Sequence, residues 1–195
     1  MGNPAQLNLS TSCPPAASPV SGWAARRELK LARKALALAG DPGLVLDLPC
    51  GTGRFWPLLA GKPSRVVIAA DDSLDALERA LGAHGGEVLA RVRPLHTELA
   101  RIELSDNAVD SIFCMDGLQQ LEDPARRLAL LREFYRVSRD TLIVALWREP
   151  PHKAAAARLR GEAEAQFRQA GFKIEARLDL LALWSMARVY LLRKP

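Results

Sequence analysis

Residues 44–48, Leu-Val-Leu-Asp-Leu, constrain the fold more than any other stretch, because they run directly into Pro49-Cys50-Gly51-Thr52-Gly53 and then Arg54-Phe55-Trp56. A short apolar run closed by a glycine turn and followed by helix formers reads as a buried strand, a loop and a helix. In an open parallel sheet that junction lies at the carboxyl end of a strand, where ligand crevices form. The same rhythm recurs downstream. Residues 64–73 read as a second strand ending in the acidic pair Asp71 and Asp72, with Ser73 as N-cap of a helix. Residues 86–99 hold a third strand followed by a loop, and residues 109–114 a fourth strand. Asp123 and Pro124 are an N-cap and a first-turn proline opening a long helix, followed by a fifth strand at 140–147. A helix then runs to Gly171 with a soft spot at Gly161, and two strands close the chain at 172–178 and 185–193.

Strands alternating with helices imply right-handed crossovers and a parallel sheet covered on both faces. The last two strands are separated by about six residues, too few for a crossover helix, so they are expected to pair antiparallel or nearly so. The expected fold is α/β: Rossmann-like, doubly wound, with a mostly parallel seven-stranded sheet and an antiparallel C-terminal strand pair. An amphipathic helix over 23–39 precedes the first strand and places Arg26, Arg27 and Lys30 on its outer face.

The chain has 195 residues, enough for one domain with a substantial core, expected over residues 23–195. Residues 1–22 are rich in Pro, Ser, Ala and Asn and read as a disordered tail rather than a signal peptide. No uncharged apolar run approaches the roughly 20 residues that span a bilayer. Cys13, Cys50 and Cys114 are widely spaced, which fits a reducing cytoplasm and neither a disulfide framework nor a metal site. The net charge of +5 is compatible with an RNA partner, but the arginines are scattered along helices without a dense basic block.

Two familiar cofactors fit the first loop poorly. A dinucleotide loop wants a third glycine where Trp56 stands, and a triphosphate loop wants Lys and Ser or Thr where Arg54 and Phe55 stand. Asp47-Leu48-Pro49-Cys50-Gly51-Thr52-Gly53 instead resembles the first motif of the class I S-adenosylmethionine-dependent methyltransferases, acid-x-Gly-x-Gly-x-Gly. The resemblance extends over residues 42–193. It covers Asp71 at the end of the second strand, the segment 96–124, the helix and fifth strand within 131–147, and the terminal strand pair. It implies S-adenosylmethionine as cofactor, with Asp71 on the ribose hydroxyls and Asp72 beside it. Glu98 falls where the adenine amino group is held, and Leu99 where a backbone N–H meets the adenine ring. Asp47, Pro49, Cys50, Gly51, Gly53 and Met115 complete the implied cofactor set.

Elementary chemistry agrees with that implication. One carboxylate accepts two hydrogen bonds from a vicinal diol, and bonds to an ionised group are the stronger kind. A sulfonium favours acidic surroundings, which Asp47, Asp71 and Glu98 supply. Pro49 departs from the motif by replacing its first glycine, removing one N–H and fixing φ near −65°. The family's Pro-Gly-Gly turn before the fifth strand is replaced by Ser138-Arg139-Asp140, which reads as a variant loop.

Methyl transfer needs orientation more than covalent help, because the leaving group is already activated. Groups expected near the reacting carbon follow the fourth and fifth strands: Asp116, Gln119, Gln120, Trp147 and His152, with Asp116, Gln120 and His152 the catalytic candidates. Cys114 reads as a small core residue. The acceptor is expected to be a small molecule presenting O, N or S. RNA or another macromolecule, and a non-catalytic cofactor-binding protein, are the alternatives.

Overall fold

Adjacent apolar residues part company across a single sheet. Val45 and Leu46 belong to separate hydrophobic clusters, and so do Ile143 and Val144. That period of two is what strands covered on both faces require. A computed structural model of the protein describes residues 22–99, 101–146, 153–179 and 188–195. In chain order the elements are α1 (Gly22–Leu38), β1 (Leu44–Asp47), α2 (Trp56–Leu59), β2 (Val66–Asp71), α3 (Leu74–Ala83), α4 (Gly86–Leu89) and β3 (Val92–His96). There follow β4 (Val109–Cys114), a 3-10 turn (Leu118–Gln120), α5 (Pro124–Val137), β5 (Ser138–Leu146), α6 (Lys153–Gln169), β6 (Lys173–Asp179) and β7 (Arg188–Arg193).

The seven strands lie in the order β3-β2-β1-β4-β5-β7-β6. The first five are parallel, and β7 inserts antiparallel between β5 and β6. The chain winds outward from β1 in one direction, then returns to build the other half from β4. Loops leaving β1 and β4 therefore diverge at the sheet's C-terminal edge and open a crevice between them. One face is covered by α1, α2 and α3, through Ala32, Ala35, Leu36, Trp56, Leu59 and Leu77. The other is covered by α5 and α6, through Leu130, Phe134, Val137 and Phe167. Fully burying a side chain such as Phe134 stabilises the fold by about 1.5–3 kcal/mol.

The expected caps form as local bonds. Ser73 Oγ accepts from the Ala76 N–H at 3.2 Å, and Asp123 Oδ1 accepts from the Ala125 N–H at 2.9 Å. Two features differ from the sequence-based expectation. The short helix α4 precedes β3, held by Val88 and Leu89 packing against the first cluster. Residues 138–140 are not a variant loop but the start of β5, because α5 ends on Ser138 in an extended conformation. Asp140 then ties down this early start: its backbone C=O accepts from the Lys194 N–H, and its carboxylate pairs with Arg193. The tail expected over 1–22 lies, apart from Gly22 in α1, outside the described residues. Among the described residues no helix is long and apolar enough to cross a membrane.

Two glycines separate backbone need from mere tolerance. Gly171 has φ +105°, and a Cβ there would lie 2.8 Å from the Tyr135 ring. Gly161 sits inside α6, where an added Cβ would meet nothing within 4 Å. Gly171→Ala is expected to cost about 1–3 kcal/mol, lowering Tm by about 2–4 °C for each kcal/mol. Gly161→Ala is expected to raise stability by about 0.5–1 kcal/mol. Thermal unfolding of both variants checks the pair, and shifts of the same sign would refute it.

Candidate functional site

The loop after β1 is shaped by two positive-φ glycines, Gly51 at +54° and Gly53 at +70°, a conformation other residues adopt at a cost. It is anchored on both sides. The Leu48 N–H donates to the Phe113 C=O at 3.1 Å, and the Cys50 N–H to the Ala70 C=O at 2.8 Å. Between them the Leu48–Pro49 peptide is cis, and the proline ring packs against Gly117 in the loop after β4. The sheet bonds at the head of the loop are thus carried by the residues flanking Pro49.

Asp71 ends β2 directly beside this loop. Its Oδ2 accepts from the Gly51 N–H at 2.9 Å and its Oδ1 from the Ser73 N–H at 3.1 Å. A carboxylate offers about four acceptor positions, and the Asp72 carboxyl also reaches this one, which is 1% exposed. Asp72 lies beside it, exposed, its carboxyl pushed up by burial of its inner side and by the neighbouring Asp71 charge. His96 Nε2 lies 3.1 Å from the Asp72 C=O. A Cβ at Gly51 would meet nothing within 4 Å. Acceptor capacity beside an unencumbered loop suits a ligand that carries a diol.

Under the loop lies a second acid. Asp47 is 3% exposed, and its Oδ2 accepts from Trp56 Nε1 at 3.1 Å. Burial, opposed by the indole bond and reinforced by Asp116 and Asp71, pushes its carboxyl up to about 8. Burial thus favours the neutral form of the acid that the sequence reading places near the sulfonium. A Cβ at Gly53 would fall 2.7 Å from the Trp56 ring and 2.9 Å from His84 Nε2, so the loop backbone rests directly on these rings.

Arg54 links three elements around the site. Its Nη1 and Nη2 both donate to Glu28 of α1, and Nη2 also donates to Asp116 Oδ2 at 2.9 Å after β4. Glu28 is 3% exposed. Burial pushes its carboxyl up, with Arg54 pulling the other way. Sequence reasoning used Arg54 only to exclude a triphosphate loop and missed Glu28. The signal was present, since Glu28 lies in phase with Ala32, Ala35, Leu36 and Ala39 on the buried stripe of α1.

The remaining expected residues fall as follows. Met115 and Cys50 are buried in the cluster on the α1 face, and Cys114 in the opposite one. Burial pushes the Cys114 thiol up to about 12 and raises the Cys50 thiol further, so neither is a ready nucleophile. Glu98 is exposed and forms an isolated bridge with Arg101, while Leu99 packs partly on the second cluster. Gln120 ends the 3-10 turn and is exposed. Arg26, Arg27 and Lys30 are exposed on α1. Trp147, His152 and the Gln119 side chain lie outside the described residues.

Residues 45–141 match the model of a family described as a methyltransferase domain. Among solved structures, the chain is similar to magnesium protoporphyrin IX methyltransferase from Synechocystis with bound SAH. The TM-score is 0.70 at 17% identity, over 91% of this chain and 89% of that one. It is similar to a SAM-dependent methyltransferase from Aquifex aeolicus, with TM-score 0.67 at 20% identity, over 86% and 97%. It is also similar to a possible exported protein from Bordetella parapertussis, with TM-score 0.70 at 17% identity, over 94% and 76%. At these identities the structural likeness is one of fold. No curated protein matches by sequence.

The buried Asp47 has a consequence for stability. Its folded pKa lies above its ordinary 3.8, so its contribution is fully present below that value and lost as pH rises through about 8. Asp47→Asn removes this titration. Relative to wild type, the variant is expected to gain Tm steadily from about pH 5 to about pH 8 and level off above. Calorimetric scans across that range check it, and a pH-independent difference would mean that Asp47 is already ionised in the fold.

Proposed function

We propose, for a chain that belongs to the class I S-adenosylmethionine-dependent methyltransferases, that the methyl group goes to an O, N or S atom of a small-molecule acceptor at the sheet's C-terminal edge. The observation that carries this reading is Asp71, oriented by the Gly51 and Ser73 amides beside the glycine loop, where it takes the ribose hydroxyls. Asp72 lies beside it. Glu98 and Leu99 take the adenine end, and Asp47, Pro49, Cys50, Gly51, Gly53 and Met115 line the remainder of the cofactor site. A single domain over residues 23–195 carries the activity.

When bound, S-adenosylmethionine supplies a methyl group on a sulfonium, an activated leaving group. The chain's own residues then have to orient and shield rather than activate. Asp116 is committed to Arg54, and a glutamine such as Gln120 cannot take up a proton. Among the described residues orientation is accordingly the main contribution, and His152, which lies outside them, is the remaining candidate for proton transfer. The fold relative named for a porphyrin acceptor supports a small-molecule substrate. Cys50 and Cys114, both free and buried, support a cytoplasmic setting.

A second reading, RNA as acceptor, is favoured by one observation. The outer face of α1 exposes Arg26, Arg27, Lys30, Arg33 and Lys34, while the helix's one acid, Glu28, is turned inward. Such a face attracts phosphates in a salt-dependent manner.

Titration calorimetry with S-adenosylmethionine, its demethylated product and NAD tests the cofactor, with binding expected for the first two alone. Asp71→Ala is expected to weaken that binding by about 10–100-fold, since bonds to charged groups contribute about 1.5–3 kcal/mol. An unchanged dissociation constant would overturn the ribose assignment. Radiolabelled methyl transfer into cell extract, with and without nuclease or protease, then identifies the acceptor class. Label that disappears with nuclease would replace the small-molecule reading with RNA.

A further inference from the structure

Trp56 serves two surfaces of the site at once. One face of its ring lies under Gly53, where an added Cβ would approach Cδ2 to 2.7 Å. Its Nε1 meets Asp47 Oδ2 at 3.1 Å, with Trp56 0% and Asp47 3% exposed. A buried indole N–H needs an acceptor and a buried carboxyl needs a donor, and these two satisfy one another. Against another edge of the indole stands His84, with ring centroids 5.1 Å apart.

We propose that Trp56 is a positioning residue for the cofactor. Its indole N–H holds the Asp47 carboxyl beneath the glycine loop, in place to pair with a cation bound there. The role rests on the assignment of Asp47 to the S-adenosylmethionine site. The groups that act on Asp47 come from every element around it. Asp71 at the end of β2 and Asp116 after β4 oppose its ionisation; Arg54 and the Trp56 bond favour it. The Cys50 and Cys114 thiols nearby stay protonated, and His84 packs against the Trp56 ring. Arg54 shares its charge between Glu28 and Asp116, so the indole is the direct hydrogen-bond donor to Asp47.

The sign follows. Burial keeps Asp47 protonated up to about 8, whereas the indole bond and a cation in the loop both favour the carboxylate. Cofactor affinity therefore rises with pH toward that value. Losing the indole N–H moves the rise to higher pH.

The test is the dissociation constant of S-adenosylmethionine from about pH 6 to about pH 9, for wild type, Trp56→Phe and Asp47→Asn. The ligand's own titration is common to all three. Trp56→Phe is expected to bind about tenfold more weakly near pH 7, with its profile displaced to higher pH. Asp47→Asn is expected to lose the rise that separates wild type from the ligand's own titration. A Trp56→Phe profile parallel to wild type would mean a merely structural ring, and an unchanged one would also overturn the proposal.

Should Trp56→Phe fail to fold, the wild-type indole Nε1–H resonance serves instead, assigned against Trp23→Phe, Trp147→Phe and Trp184→Phe. It is expected to shift with a midpoint near the Asp47 value and to shift again on cofactor binding. An indole resonance indifferent to pH overturns the proposal. A pH-dependent one in a protein that binds no S-adenosylmethionine overturns the cofactor assignment instead.

Discussion

The bond from the Gly51 N–H to the Asp71 carboxylate is the constraint on which the rest of the site depends. It joins the loop after β1 to the end of the neighbouring strand β2, on one side of the crevice that opens between the loops after β1 and β4. Gly51 holds a left-handed conformation there, with no side chain to obstruct the carboxylate or whatever lies above it. The same carboxylate accepts from Ser73, whose hydroxyl caps α3. One acid thereby aligns a loop, a strand end and a helix start. That fixed orientation of an acid beside the glycine loop is what a diol needs.

Charge around this loop is balanced rather than abundant. Glu28, Asp47 and Asp71 are all buried, and Asp116 stands beside them, with Arg54 bonded to Glu28 and Asp116. Arg54 satisfies Glu28 and Asp116, so Asp47 is left to an indole and remains protonated near neutrality. The arrangement keeps a proton in reserve under the loop. An arriving cation can exchange for it at less cost than an unpaired buried carboxylate would impose on the free protein. The ion pairs of Arg54 also bring α1 and the loop after β4 onto the same guanidinium, coupling the helix beside the crevice to its floor.

Much of the fold was legible in the chain. β4 falls on 109–114 as expected, and Ser73 and Asp123 cap the helices that their side chains were expected to cap. Periodicity and caps are local, so they survive into the structure unchanged. The run from Ser138 to Asp140 was not legible, because it becomes strand by pairing with Val109 of β4 and through bonds to Lys194 and Arg193 at the far end of the chain. The same division holds in the site. Asp71 followed from its place one helix and one strand after the loop, whereas the partners of Asp116 and Arg54 lie on elements far apart in sequence.

By itself the sequence determined the alternation of strands and helices, the antiparallel ending, the glycine loop and the acids that follow it. These rest on short-range spacing and on topology that sterics restrict to few choices. Tertiary structure alone decided how the acids differ from one another. Asp71 is bound by backbone amides, Asp116 by a guanidinium, and Asp47 by an indole in a site that holds its proton. Desolvation and partner geometry depend on which distant elements close over a group, and no local pattern in the chain records them.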